Sequence, residues 1–559
     1  MLVHPKGARA RVLLSSVFKP FAQDDMFGSR AINPAELYHN QVTREQGPFS
    51  LRMFHRTWSL MLLQRNITAP CTVLDFPTRQ RFIDELTSHH YDIVGLTGII
   101  VNVGKVREMC RLVRVHSPQS TIIVGGHVTA IPGVEAMLDA DHIVKGEGVA
   151  WLRAYLGETV DRPIEHPVIP SSFGFRLMGL PAPRGGGNAA ATIIPSVGCP
   201  MGCNFCTTSE FFGGKGKMIT FLPRGEDVFR AMADAEREIG ARAFFMMDEN
   251  FLLYKRRALE LLELMKQHRK AWSLYVFSSA NAIRKYDIRQ LIELGIEWIW
   301  IGLESTGSGY EKLKGTDTMS LARELQSHGI RVHGSTIIGL EHHTPDNIDE
   351  MIEHAVSHET VFHQFMLYTP VPGTPLYREV RAEGRLLEDT DFADIHGQYK
   401  FNFLHAAISR DDSKTFLDRA FRRDFDVNGP SLYRLMASMM TSWRRYRHDK
   451  DARVRERVWG EARQLASGYG AALWAMEKYL KGSNRAVSDR VRKLRLEIER
   501  EIGGWSPWIH RVAGPFLHWA ARREGRRKRV MEPQTFVDRT NWIQTRDSGL
   551  GTLDPRPGV

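Results

Sequence analysis

Residues 198–206 read Gly-Cys-Pro-Met-Gly-Cys-Asn-Phe-Cys and directly follow the apolar run 192–197. This motif is the strongest indication of the fold in the chain. It places three thiols, those of Cys199, Cys203 and Cys206, in one short loop with no fourth cysteine nearby. A structural zinc site is closed by four ligands, and a [4Fe–4S] cluster normally takes four thiolates. Three thiolates at this C-x3-C-x2-C spacing predict a cluster with one iron open to a small molecule. The alternative is a degenerate zinc loop.

The composition is typical of a multidomain protein from a reducing compartment. The chain has 559 residues, 43% of them hydrophobic, which is enough for about two to four domains. Only five cysteines occur, and Cys71 and Cys110 are expected to be buried, inert thiols. Without a signal peptide pattern, this sparse usage predicts a cytoplasmic protein. No apolar run is long enough to span a bilayer, so any membrane contact would be peripheral.

Short apolar runs alternate with helical stretches over residues 1–165. The runs 12–17, 72–76, 92–97, 121–124 and 142–144 are predicted strands of a doubly wound parallel sheet. Ligands bind such sheets at the carboxyl ends of the strands, where glycines let a backbone approach closely. The candidate binding residues at these ends are Gly95, Thr97, Gly125, Gly126 and Gly146.

A turn-rich segment, residues 166–191, is predicted to be a linker, and the alternation resumes after it. Six predicted strands, 192–197, 243–247, 274–277, 298–301, 332–338 and 363–368, give six βα units over residues 192–400. This pattern indicates a partial TIM barrel, whose chemistry belongs at the carboxyl ends of the strands. The candidate site residues there are Phe205 in the cysteine loop, Asp248 and Glu249 after the second strand, Ser279 after the third and Glu304 after the fourth.

Residues 401–559 are predicted to be helical and carry the positive charge of the chain. Residues 431–530 hold 24 Lys and Arg against 10 Asp and Glu, a net charge of +14, whereas the whole chain carries +11. Basic helices with aromatic side chains suit a membrane surface or an anionic lipid substrate. They also suit nucleic acid, the less favoured partner. The third interpretation is a helical cap with solvated basic faces.

Together these residues resemble the cobalamin-dependent radical S-adenosylmethionine (SAM) enzymes over residues 10–400. The resemblance implies that Cys199, Cys203 and Cys206 hold a [4Fe–4S] cluster. It further implies that SAM is contacted by Phe205, Asp248, Glu249, Ser279 and Glu304, and that the glycine-bearing strand ends of the first domain line a pocket for cobalamin. The chain departs from many cobalamin domains at residues 23–28, which contain no cobalt-ligating histidine. Cobalamin bound here is therefore expected to lack a histidine lower ligand.

The function implied by this resemblance is methyl transfer. In such enzymes the reduced cluster cleaves SAM to a 5′-deoxyadenosyl radical, the radical takes a hydrogen from an unactivated carbon, and methylcobalamin donates the methyl group. The substrate is expected to be a small or lipid-like hydrophobic molecule, and the reductant a one-electron donor such as flavodoxin or ferredoxin. The alternatives are cyclisation, rearrangement or carbon–carbon coupling without methyl transfer, tRNA methylthiolation, and a non-catalytic iron–sulfur scaffold. The sequence assigns no catalytic proton donor or acceptor.

Overall fold

A computed structural model describes residues 3–19, 26–27, 32, 36–171, 173–181, 189–304, 308–503, 506–526 and 531–541. The segment 23–28 contains no histidine that could ligate cobalt, and only its residues Met26 and Phe27 are among the described residues. Most of the glycine-rich part of the predicted linker, residues 182–188, also lies outside them.

The first domain is a parallel sheet covered by helices on both faces. Its strands and helices are β1 Val12–Ser16, α1 Leu37–Gln41, β2 Arg52–Phe54, α2 Trp58–Arg65, β3 Cys71–Asp75, α3 Arg79–Ser88, β4 Ile93–Thr97, α4 Val103–His116, β5 Thr121–Gly125, β6 His142–Ile143 and α5 Gly148–Tyr155. The parallel strands run in the order β3-β1-β4-β5-β6, so the strand order reverses at β1.

Alternate residues of these strands enter two hydrophobic cores, which explains why the strands are apolar throughout. Leu13 and Val94 pack in one core, whereas Val12 and Ile93 pack in the other. Cys71 in β3 and Cys110 in α4 are both 0% exposed, as predicted. The predicted doubly wound sheet is confirmed.

The second domain is a partial barrel of six parallel strands in chain order. Its elements are β10 Ala189–Ile193, β11 Ser196–Val197, α6 Thr207–Phe211, β12 Ile219–Thr220, α7 Gly225–Ile239, β13 Ala241–Met246, α8 Lys255–Gln267, β14 Ser273–Ser278, α9 Ala280–Ile283, α10 Ile288–Glu293, β15 Ile296–Gly302, α11 Thr318–Ser327, β16 Arg331–Ile338, α12 Ile348–Val356, β17 Phe362–Leu367 and α13 Pro375–Ala382. They follow β7 Ile169–Pro170, β8 Phe173–Leu177 and β9 Leu180–Pro181. The barrel sheet has the order β17-β16-β15-β14-β13-β10-β7.

The start of the barrel differs from the prediction in two ways. Residues 166–191 are not only a linker, because β7 pairs antiparallel with β10 at the barrel edge and β8 joins β2 and β9 in a small sheet. The first barrel strand ends at Ile193 and does not continue to residue 197. Pro195 follows and has no N–H to donate to a ladder, and the chain then pairs β11 with β12.

The C-terminal region is helical with one exception. Its helices are α14 Arg410–Asn428, α15 Ser431–Tyr446, α16 Ala452–Gln464, α17 Gly470–Leu480, α18 Arg485–Glu501 and α19 Ser506–Gly525. They are followed by β18 Phe536–Thr540, which pairs antiparallel with β3 at the edge of the first sheet. The β3 edge is thereby covered. Within the described ranges no helix is both long and apolar enough to cross a membrane.

Candidate active site

The cysteine loop lies between the first barrel strand and the short helix α6. The Ser209 hydroxyl donates to the Cys199 carbonyl oxygen at 2.6 Å, and the Ser209 N–H donates to Cys206 Sγ at 3.5 Å. The three thiols are half-buried. Burial raises the pKa of Cys199 to about 11, and the neighbouring Cys206 and Cys203 add to this shift. The loop therefore brings its three sulfurs into one electrostatic environment, in which a positively charged metal group would stabilise the thiolates.

The donor set is compatible with a cluster. In a [4Fe–4S] cluster each thiolate binds its own iron, so the sulfurs need not converge on one point. Three cysteines on one loop thus match a cluster with a free corner.

Glu249, three residues beyond the end of β13, faces the cysteine loop. Burial raises its pKa to about 8, and the neighbouring Asp248 also raises it. A hydrogen bond from the Gly198 N–H opposes this shift. Among the described residues, its buried Oε2 has no hydrogen-bond partner. A buried carboxyl oxygen without a partner costs free energy, and an N–H of the SAM amino group would supply the missing donor.

Asp248, which was predicted to contact SAM, is held by three partners within the protein. Its carboxylate forms an ion pair with Arg257, and the two side chains are 0% and 2% exposed. The Ser196 hydroxyl also donates to it, as does the Asn250 N–H at 3.0 Å. These partners favour a structural role in which Asp248 fixes the end of β13 and thereby positions Glu249.

Ser279 is fixed by an amide network at the ends of β13 and β14. Asn250 Nδ2 donates to Ser279 Oγ at 2.9 Å, and the Ser279 N–H donates to Asn250 Oδ1 at 3.0 Å. Ser279 Oγ in turn donates to Asn281 Oδ1 at 2.6 Å. The serine therefore stands at the predicted rim, and Asn250, which the sequence analysis had not singled out as a site residue, holds it there.

Glu304, Lys312 and Phe205 form a second cluster beside the cysteines. Glu304 is 3% exposed, has a φ of 54° and forms an ion pair with Lys312. Burial opposes the charge on Lys312, but Glu304 and Cys203 raise its pKa. The Lys312 ammonium lies 5.3 Å from the centre of the Phe205 ring, and Tyr310 packs edge-on against that ring at 5.1 Å. The predicted SAM contacts Phe205 and Glu304 thus share one site with a cation that sequence patterns did not reveal.

Glycines expose bare backbone at the carboxyl ends of the first sheet. A Cβ on Gly125 would have no atom within 4 Å, and one on Gly146 would meet only Phe211 O, at 3.9 Å. Gly126 has a φ of 82°, and a Cβ there would lie 2.6 Å from Thr97 Oγ1. Gly95 allows close packing within the sheet, because a Cβ added there would lie 2.7 Å from the Leu14 side chain of β1. Gly125 and Gly146 therefore leave an open cradle, whereas Gly95, Thr97 and Gly126 meet close neighbours.

The carboxyl edge of the first sheet faces the cysteine loop of the barrel. His127, directly after Gly126, stacks on Phe211 of α6 with the ring centres 4.4 Å apart. Burial lowers the pKa of His127 to about 4, and its Nε2 has no hydrogen-bond partner among the described residues. A Cβ on Gly373, after the last barrel strand, would lie 2.8 Å from Ala130. The two edges predicted to bind cofactors are therefore in contact.

The inward face of the barrel is aromatic. Phe277 stacks on Trp300 at 4.8 Å, and Trp300 stacks on His333 at 3.7 Å. One layer below, Tyr275 stacks on Trp298 at 5.5 Å. The four Phe, Trp and Tyr side chains of these stacks keep some exposure although their strands are central. They lie on β14 and β15, the strands whose carboxyl ends are followed by Ser279 and Glu304.

A three-cysteine loop on the first strand of a partial barrel, with acidic and hydroxyl side chains at the next strand ends, defines the class as a radical SAM domain. The family model of the radical SAM superfamily matches residues 193–355. The chain therefore carries a radical SAM domain, and the resemblance seen in its sequence is confirmed.

Several relatives of the chain are methyltransferases, and another is the anaerobic magnesium-protoporphyrin IX monomethyl ester cyclase of Rubrivivax gelatinosus. Bacteriochlorophyllide d C-8(2)-methyltransferase of Chlorobaculum tepidum is 25% identical over 345 residues, which cover 57% of this chain and 74% of that protein. Hopanoid C-2 methylase of Rhodopseudomonas palustris is 25% identical over 351 residues, which cover 59% of this chain and 63% of that protein.

One solved structure matches nearly the whole architecture. It is the radical SAM methyltransferase TsrM from Kitasatospora setae, determined with cobalamin and a [4Fe–4S] cluster bound. The match has a TM-score of 0.51 at 16% identity and covers 82% of this chain and all of that chain. At this identity the likeness shows the fold, and the predicted fold class is confirmed.

Proposed function

We propose that this protein is a cobalamin-dependent radical SAM C-methyltransferase that methylates an unactivated carbon of a hydrophobic substrate. The observation that carries the proposal is the contact between the two cofactor edges, where His127 of the first sheet stacks on Phe211 beside the cysteine loop. When bound, the cluster supplies the electron that cleaves SAM, and cobalamin carries the methyl group. The methyltransferase relatives support the same reaction class.

The residues of the chain have separate tasks in this proposal. Cys199, Cys203 and Cys206 hold the cluster. Glu249 accepts from the SAM amino group, because its buried Oε2 lacks a donor among the described residues. Phe205 packs on the adenine, and the pair of Glu304 with Lys312 beside it fixes the ribose and carboxylate end of SAM.

The bare backbone at Gly125 and Gly146 would lie against cobalamin, since a Cβ at either position would fill the open space. Stacked His127 and Phe211 close the gap between the sheet edge and α6. Because the described partners of Gly95 and Gly126 are protein atoms, these two glycines shape the cradle rather than line it.

The aromatic interior favours a hydrophobic substrate. Phe277, Trp300, Tyr275 and Trp298 offer flat apolar faces below the SAM residues, and aromatic faces bind flat or lipid-like apolar molecules. The polar groups beside them are paired within the protein: the Trp300 indole N–H donates to Ser335 Oγ at 2.6 Å, and the Tyr275 hydroxyl lies 2.6 Å from His333 Nδ1.

The electron donor in this proposal is an acidic one-electron carrier such as flavodoxin or ferredoxin. Lys215 and Lys217 are exposed in the loop after α6. The Gly216 N–H of the same loop donates to the Pro200 carbonyl oxygen inside the cysteine loop at 2.9 Å. Positive charge beside the cluster would steer an acidic partner toward it.

Anaerobic reconstitution of the full chain with iron, sulfide and hydroxocobalamin tests the proposal. We expect about four irons per chain, a bound corrinoid spectrum, and 5′-deoxyadenosine when dithionite and SAM are added. Methyl-labelled SAM should transfer label to the bound corrinoid. Cys203→Ala is the negative control for cleavage.

Other results would select the alternatives. Deoxyadenosine without labelled corrinoid would favour ring closure, rearrangement or carbon–carbon coupling. A second set of cluster irons would favour methylthiolation. Bound iron without formation of 5′-deoxyadenosine would favour the non-catalytic iron–sulfur scaffold. Zinc in place of iron would contradict the assignment of a [4Fe–4S] cluster.

A further inference from the structure

Helix α19 carries a continuous apolar stripe on the protein surface. Its large side chains Trp508, Val512, Phe516 and Trp519 are 65%, 57%, 54% and 54% exposed. At 100° per residue, this spacing places all four within about 80° of one another on the helix. Scattered exposed apolar residues need no explanation, but a contiguous row on one helix face marks an interaction surface.

The opposite face of α19 is anchored, so the stripe cannot turn inward. His510 and Ala521 are 0% exposed, and His510 Nδ1 lies 2.9 Å from Glu499 Oε1 of α18. A Cβ on Gly514 would lie 2.7 Å from the Trp474 ring of α17, so only glycine permits this close approach. The helix is fixed in the orientation that exposes its aromatic residues.

Basic side chains accompany the stripe. Arg511, Arg522, Arg523 and Arg526 are exposed. The helical period places Arg523 about 20°, Arg522 about 80° and Arg511 about 100° from the centre of the stripe, and Arg526 directly follows the last residue of α19. The Arg523 guanidinium lies 5.3 Å from the centre of the Trp519 ring. The exposed face thus combines an apolar centre with cations concentrated in the last turns.

We propose that α19 docks the protein on an anionic lipid bilayer, lying in the plane of the headgroups. Tryptophan favours that depth, and arginine beside it pairs with lipid phosphates. The helix is about 30 Å long and its exposed face is about 10 Å wide, so the face has an area of about 300 Å². This is less than half of the roughly 800 Å² that each partner buries in a stable protein–protein interface. A second copy of the chain therefore fits the surface less well than a membrane.

Nucleic acid also fits less well. Valine and phenylalanine occupy the middle of the face, where a phosphate backbone would need cations. The docking proposal does not depend on the proposed catalysis, although a bilayer surface would bring a hydrophobic substrate to the enzyme.

Vesicle flotation of the full-length protein tests the docking. Vesicles of phosphatidylcholine with phosphatidylglycerol in equal parts are compared with pure phosphatidylcholine, at low and high salt. We expect binding to the anionic vesicles that weakens with salt. Phe516→Ser/Trp519→Ser should lower the partition coefficient about a hundredfold, because each half-exposed ring contributes about tenfold on insertion. Arg522→Gln/Arg523→Gln should lower it about tenfold or more on anionic vesicles only.

Leu404→Ser is the matched control, because Leu404 is 57% exposed but lies outside α19. It should float like the wild type. All variants should keep the circular dichroism spectrum and the SAM cleavage rate of the wild type, so that loss of catalysis and loss of docking are separable. Equal flotation of wild type and Phe516→Ser/Trp519→Ser would overturn the proposal. The proposal would also be overturned if the wild type did not bind vesicles but bound a DNA duplex or a tRNA, or formed dimers, and lost that binding in Phe516→Ser/Trp519→Ser.

Discussion

Arg257→Met tests whether a buried ion pair holds the end of β13 in place. The side chains of Arg257 and Asp248 are 2% and 0% exposed. The Asp248 carboxylate also accepts from the Ser196 hydroxyl and from the Asn250 N–H. Methionine keeps much of the arginine's apolar stem but removes the cation. The carboxylate would then stay buried beside two neutral donors.

The expected cost follows from what remains around Asp248. Removing one partner of a buried ion pair costs about 3–5 kcal/mol, because the other charge is left uncompensated. Two hydrogen bonds to Asp248 survive, so we expect the lower end of this range. Two buried arginine nitrogens, Nε and Nη1, lack hydrogen-bond partners among the described residues, and methionine removes this cost as well. In Arg257→Met/Asp248→Asn no charge remains, and the loss should shrink to about 1 kcal/mol.

Hydrogen exchange of the metal-free protein measures the loss of stability locally, around β13 and β14. It therefore does not require two-state unfolding of a multidomain chain. A loss of about 3 kcal/mol corresponds to exchange about 150-fold faster in peptides from β13 and β14. The control Arg256→Met changes the exposed neighbouring arginine and should alter exchange less than about twofold. The reasoning is refuted if Arg257→Met speeds exchange less than about fivefold, or if the double variant exchanges as fast as the single one.

Four further predictions concern the site and its interfaces. Cys203→Ala should lower the iron content and abolish 5′-deoxyadenosine formation while keeping the circular dichroism spectrum, because Cys203 is a half-buried loop residue; retained cleavage would refute the cluster assignment. Glu249→Gln should weaken SAM binding, measured by calorimetry on reconstituted protein, by about tenfold to a hundredfold, the range for a hydrogen bond to a charged group, whereas an unchanged affinity would place SAM elsewhere. Lys312→Met should weaken SAM binding about tenfold because Glu304 loses its ion-pair partner, and Lys312→Arg should retain most of the affinity if charge is the reason. His127→Phe keeps the stack on Phe211 but removes a histidine whose pKa is lowered to about 4 by burial. Because the unfolded wild type binds a proton at this group below about pH 6.5 and the folded form does not, the local stability of the wild type should fall by up to about 2 kcal/mol between pH 7.5 and pH 5 relative to the variant; parallel pH profiles of hydrogen-exchange protection around residue 127 would contradict this.

Local patterns in the sequence predicted the architecture and the three candidate cluster ligands. Apolar strands alternating with helices predict parallel sheets, because a strand buried on both faces must be apolar throughout. The cysteine spacing needs no tertiary information, since all three thiols lie within one loop. The acidic and hydroxyl residues at strand ends also follow from the chain, because the carboxyl ends of parallel strands meet at one edge. Even there, the sequence did not separate Asp248, which pairs with Arg257, from its neighbour Glu249.

Contacts between distant segments were decided only by the tertiary structure. Lys312 meets Glu304 after a loop, His127 meets Phe211 from another domain, and β18 covers β3 from the far end of the chain. Each contact depends on how the chain packs, and neither residue type nor spacing specifies which of many residues, near or far along the chain, becomes the partner. The aromatic interior of the barrel and the exposed face of α19 are decided in the same way. An amphipathic pattern predicts that a helix has an apolar side, but packing selects which side is covered, and in α19 the covered side is the one with His510, Gly514 and Ala521.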